Sequence, residues 1–163
     1  MRYQRAFALV EILVVLVIST ILAGITLLSL RNASEADLLR EDLNRLAGLL
    51  QRNCQDALVY GQHLGIHVAD DGYEVFRYDG ANWIGIKAES AIYRHRTWSK
   101  DWQLQLTFQG LDTTIDESDQ TPQLICLGSG ELLPFRFTLS DGLNASLALS
   151  GLADGSMTVE TIR

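Results

Sequence analysis

Proline and cysteine are scarce in this chain of 163 residues, with two of each. Both prolines, Pro122 and Pro134, lie far from the amino end, so residues 7–60 contain none of the residues that break a helix outright. Two cysteines, Cys54 and Cys126, are too few for a disulfide scaffold. Basic residues are also in short supply: 13 Lys and Arg against 20 Asp and Glu leave a net charge of −7. Arg94, Arg96 and Lys100 form the only basic cluster of the soluble part. That is not the stripe nucleic acid requires, and no nucleic-acid partner is expected. Charge is nearly absent from one long stretch. Residues 6–30, AFALVEILVVLVISTILAGITLLSL, hold a single ionisable side chain, Glu11.

That run is long enough to span a bilayer, for which about 20 apolar residues suffice at roughly 1.5 Å of rise each. A carboxylate inside hydrocarbon is unfavourable by roughly 2.5–3.5 kcal/mol on insertion scales, so Glu11 calls for a partner. A cleaved secretory signal would be shorter and end in small residues, whereas Arg31-Asn32-Ala33-Ser34-Glu35 follows this run. A plain anchor fits the length, with Arg2 and Arg5 holding the amino end in the cytoplasm, but leaves Glu11 unexplained.

A third reading accounts for both. Arg5-Ala6-Phe7-Ala8-Leu9-Val10-Glu11 resembles the class III signal of type IV pilins and type II secretion pseudopilins. The resemblance implies cleavage by a prepilin peptidase between Ala6 and Phe7, and N-methylation of Phe7. Glu11 becomes an assembly residue that sets register by pairing with a neighbouring subunit's amino terminus. Ala6 stands where that family nearly always has Gly, an exchange expected to slow processing. The implied location is the inner membrane, single-pass, with the amino terminus cytoplasmic and the carboxy-terminal part periplasmic.

Beyond the run, Leu39, Leu43, Leu46, Leu50, Cys54 and Ala57 recur at spacings of three and four, which predicts one apolar face of a helix ending before Gly61. The rest reads as β. Strands are expected at residues 64–68, with one buried face, then 73–78, 83–86, 102–108, 123–127, 135–139, 145–149 and 157–162. Asp71-Gly72, Asp79-Gly80 and Asp154-Gly155 mark turns between them. Residues 87–101 and 110–122 are expected to be loops, and the natural places for contacts with other subunits.

The expected fold is therefore α+β and pilin-like: a long N-terminal helix packed on an antiparallel β-rich head. Its segments are a cleaved leader (1–6), a helix (7–60, with 7–30 in membrane or fibre core) and a periplasmic head (62–163). Gly61-Gln62-His63-Leu64-Gly65-Ile66 and Gly128-Ser129-Gly130-Glu131-Leu132-Leu133-Pro134-Phe135 resemble segments of the H-type minor pseudopilins, related to the FimT-type minor pilins. What this implies is a type II secretion minor pseudopilin at the tip of a periplasmic fibre. Its implied partners are the I, J and K types, the major pseudopilin, the prepilin peptidase and the inner membrane, with the outer-membrane secretin or exoproteins beyond. A FimT-type pilin serving adhesion, motility or DNA uptake is the alternative, and a membrane-anchored periplasmic enzyme the second.

No catalytic constellation supports an enzyme. Ser129 lacks the Gly at position 127 that a nucleophile elbow needs. His63 and His67 would share a strand face without a third ligand, and the acidic stretch Asp112, Asp116, Glu117, Asp119 lacks the spacing of an EF-hand. Neither a metal nor a cofactor is expected. Trp83, Trp98 and Trp102 read as core or loop anchors. For Cys54 and Cys126 the expectation is two separate buried thiols, with a disulfide as the alternative.

Overall fold

The structure is a computed structural model that describes residues 4–86, 92–108, 110–113, 115 and 120–162; within the helix, side chains 4–9 and 23–34 lie outside the description. Helix α1 runs Gln4–Tyr60. The chain divides into two compact units, residues 1–35 and 36–163.

In the second unit, α1 is held by what it buries. Leu39, Leu43, Leu46, Leu50 and Ala57 are fully buried and Cys54 nearly so, as their spacing predicts. Each buried leucine stabilises by about 1.5–3 kcal/mol, far above the tenths that helix propensity supplies. The helix ends where Gly61 takes φ 61° and the Gln62 N–H donates to the Ala57 carbonyl, a bond that satisfies one of the last open carbonyls.

Two antiparallel sheets complete this unit. The first contains β1 (Leu64–Ala69), β2 (Gly72–Tyr78), β3 (Trp83–Gly85), β4 (Arg96–Thr97) and β7 (Leu124–Cys126). Its order is β3-β2-β1-β7, with β4 pairing on β2 beside β3. The second contains β5 (Gln103–Phe108), β6 (Leu111–Thr113), β8 (Phe135–Ser140), β9 (Ser146–Gly151) and β10 (Met157–Ile162), ordered β10-β9-β8-β5-β6. One core joins α1 to both sheets, through Ile66 and Val75 from the first and Leu106, Phe137 and Leu149 from the second. Trp98 bridges them, with Tyr73 at 4.8 Å on one side and Phe137 at 6.0 Å on the other.

Three expectations need correcting. The stretches at 87–101 and 110–122 are not wholly loop: they contain β4 and β6, strands of two and three residues. Arg96-Thr97 and Leu111-Asp112-Thr113 lack the apolar run that marks β3 and β7, which are no more than three residues long themselves. The first hairpin turns at Asp70-Asp71, because Ala69 pairs with Gly72. Gly72 belongs to β2, where a Cβ would lie 2.1 Å from the Arg96 carbonyl oxygen; the glycine admits β4, not the turn. At Asp79-Gly80 the turn is as expected, with Gly80 at φ 102° and the Asp79 carboxylate accepting from the N–H groups of Ala81 and Asn82.

β1 is buried on both faces, where its alternation predicts one. Residues 121–123 run along it: the Gln123 N–H donates to the Ile66 carbonyl, and the Val68 N–H to the Gln123 side chain at 2.8 Å. Pro122 lies where a Cβ on Gly65 would stand, at 2.4 Å. A polar-looking alternation was thus covered by a distant segment.

Candidate assembly site

The amino-terminal motif lies on α1 in the first unit. Ala6 and Phe7 fall among the residues whose side chains lie outside the description. Glu11 is exposed, and the apolar side chains around it are about half exposed, from 47% at Val14 to 62% at Val10. Thr20 turns its hydroxyl back onto the Val17 carbonyl at 2.8 Å, so this polar group is satisfied within the helix. Among the described residues no helix is long and apolar enough to cross a membrane; the run of residues 6–30 extends beyond the described side chains at both ends.

In the second unit His63, His67 and Ser129 are committed to structure. His63 accepts the Gly128 N–H at 2.9 Å through Nδ1. His67 is buried, 3.3 Å from both the Thr121 carbonyl and the Gln123 amide nitrogen. Ser129 donates to Glu131 at 3.3 Å inside a tight turn, where the Leu127 N–H meets the Glu131 carbonyl at 2.8 Å. Among the described residues no group of three His, Cys, Asp or Glu side chains converges on a metal position; residues 116–119 lie outside the description.

The cysteines depart from expectation. Cys54 and Cys126 form a disulfide, with their Cα atoms 5.0 Å apart. Leu64 on β1 pairs with Cys126 on β7, and this register sets Cys126 against the buried face of α1. Packing that hides two thiols on facing elements also brings them within bonding distance.

Asp42 is a residue the apolar spacing does not reveal. It is buried on α1, and its carboxylate accepts from the Ser99 N–H (2.9 Å), the Ser99 hydroxyl (2.8 Å) and the Trp102 indole N–H (2.8 Å). Arg45 stands 3.6 Å away. Next to these charges Tyr73 is buried, and burial pushes its hydroxyl up to about 12. The segment expected to be a contact loop is therefore tied to the helix at Ser99, and the strand that follows it at Trp102. Asp42→Ala would leave the indole and amide donors without their acceptor. It should lower the unfolding free energy of residues 36–163 by about 3 kcal/mol, read by urea titration with tryptophan fluorescence. A loss under about 1 kcal/mol would mean these bonds are replaceable by water.

Similarity to known proteins follows the same two parts. A profile of the prokaryotic N-terminal methylation motif matches residues 1–27. Type II secretion system protein H of Pseudomonas aeruginosa is 35% identical over 162 residues, covering 95% of this chain and 94% of that protein. Its namesake in Escherichia coli is 25% identical over 165 residues, covering 98% and 95%. The solution structure of E. coli GspH superposes with a TM-score of 0.64 at 20% identity, covering 79% of this chain and 92% of that one. A crystal structure of the minor pseudopilin EpsH from the type II secretion system of Vibrio cholerae gives 0.63 at 16%, covering 77% and 97%. At such identities the superpositions establish the pilin-like fold, and the near full-length likeness to the Pseudomonas protein establishes kinship. This chain belongs to the type II secretion system protein H family.

Proposed function

We propose that this chain is a minor pseudopilin of a type II secretion system, built into the tip of a periplasmic pseudopilus that promotes export of folded proteins across the outer membrane. The full-length kinship to type II secretion system protein H carries this reading. The prepilin peptidase removes residues 1–6 by cutting between Ala6 and Phe7, and the new amino group of Phe7 is methylated. Residues 7–60 remain as the helix, anchored in the inner membrane through residues 7–30, and residues 62–163 form the periplasmic head. The work is assembly, not chemistry on a substrate.

The physical logic rests on Glu11. A carboxylate and an α-amino cation are each costly in low dielectric and attract strongly once together. Pairing Glu11 with Phe7 of a neighbouring subunit fixes how far one helix slides along the next as both leave lipid for the fibre core. The partners are sister pseudopilins, the I, J and K types among them. The disulfide agrees with an oxidising periplasm for the head.

The test has two arms. Intact-mass spectrometry of the chain purified from its own membranes should show loss of residues 1–6 and gain of one methyl group. Deleting the gene should abolish secretion, and the wild-type gene should restore it. An unprocessed amino terminus would return the chain to a plain anchor, and secretion undisturbed by the deletion would refute the role.

A further inference from the structure

The two sheets end in edges of very unequal length. β3, β6 and β7 span three residues each and β4 only two. The edge at β7 is also closed by a bridge between Cys126 and Leu132. β10 is the exception, six residues long and paired with β9 in unbroken register from Met157↔Gly151 to Ile162↔Ser146. Its other side pairs with nothing among the described residues. Exposed edges are ordinarily blunted by lysine, proline or a bulge, and Met-Thr-Val-Glu-Thr-Ile has none of these. Its single charge, Glu160, lies 3.9 Å from Arg136.

Beside this edge runs a groove of about 690 Å³ between α1 and β10. Ala47, Met157 and Val159 give it apolar patches, Asn44, Gln51 and Ser156 polar ones, and Arg40, which donates to the Thr161 hydroxyl at 3.4 Å, is its one charged lining residue. Gly48 leaves it open: a Cβ there would meet nothing within 4 Å. A strand added to β10 would send alternate side chains to the side that Met157 and Val159 occupy, over the groove. One extended segment therefore satisfies both features.

We propose that β10 accepts a strand from a different protein, a sister subunit of the fibre, by β-augmentation. The segment carries, at alternate positions, medium-sized apolar residues over Met157 and Val159, with polar side chains toward Asn44 and Gln51 and one carboxylate to meet Arg40. Main-chain bonds to β10 supply affinity, and the groove supplies selectivity. The choice of a different chain rests on the fibre reading above. Two copies paired through β10 about a two-fold axis would run their helices in opposite directions, whereas fibre subunits share one direction.

The test uses the full chain in cells that also express its sister pseudopilins. A photoreactive residue, Thr158→p-benzoylphenylalanine, sits on the exposed edge; Leu143→p-benzoylphenylalanine, in the exposed turn between β8 and β9, is the control. Position 158 should give an adduct with one sister subunit, mapped by mass spectrometry to an extended segment with alternating apolar residues, and position 143 should not. Gly48→Phe, which fills the groove, should cut that adduct at least tenfold while leaving the melting temperature unchanged or higher. An adduct between two copies, an adduct on a partner helix, a yield indifferent to Gly48→Phe, or no adduct in secreting cells would each overturn the proposal. In the last case a secretion defect on deletion would leave the fibre role standing, so the two failures are distinguishable.

Discussion

Replacing Cys126 with alanine, or reducing the wild-type protein, should lower the unfolding free energy of residues 36–163 by roughly 4 kcal/mol. The disulfide closes a chain separation of 72 residues, and loops of that length lose much of their entropy in the unfolded state when cross-linked. Guanidinium titrations with and without reductant measure the difference directly. The bond also acts locally. β7 has only three residues, and Cys54–Cys126 fastens it to the buried face of α1. The reduced protein should therefore exchange amide hydrogens fastest in β7 and the neighbouring part of β1. A shift under about 1 kcal/mol would show that packing around Leu50, Leu124 and Leu132 already holds the two elements in place.

Glu11→Leu should leave membrane insertion intact and abolish secretion. The variant makes the run more apolar, so insertion is favoured, but a neighbour's α-amino cation then enters the fibre core without a counter-charge. Removing one member of a buried pair is unfavourable by about 3–5 kcal/mol, which corresponds to a loss of at least a hundredfold in the assembly equilibrium. Glu11→Gln keeps the shape and loses the charge, and should fail nearly as badly. Membrane fractionation and assay of exoprotein in the medium read the two halves separately. Normal secretion by either variant would sink the pairing argument.

The features most legible in the sequence are those that depend on short-range geometry. The spacing of Leu39, Leu43, Leu46, Leu50, Cys54 and Ala57 marks the buried stripe because 3.6 residues per turn places them on one side. Asp42 and Asn53 lie on that same stripe and are equally buried, yet the spacing of apolar residues does not mark them. A polar residue at a stripe position was the available signal. For Asp42 it marks the anchor of Ser99 and Trp102; Asn53 has no hydrogen-bond partner among the described residues, and the packing explains nothing about it. The longer strands were legible by alternation or by turns at Asp79-Gly80 and Asp154-Gly155, whereas β4 and β6 were not.

The candidate site divides in the same manner. Glu11 stands out as the single charge in an apolar run, a property of composition that needs no coordinates. The groove and the open edge at β10 could not be read ahead, since each depends on which strand lies last in a sheet and which helix lies beside it.

By itself the sequence determined the long helix, the apolar run with its one carboxylate, most strands of the head, and the family resemblance. These depend on periodicity, composition and local motifs, which are carried by neighbours along the chain. Tertiary structure decided the rest: the Cys54–Cys126 bond, the donors gathered on Asp42, the covering of β1 by residues 121–123, and the edge left open at β10. Each joins residues far apart along the chain, and their distance in space is set by how helix and sheets pack, which no local pattern encodes.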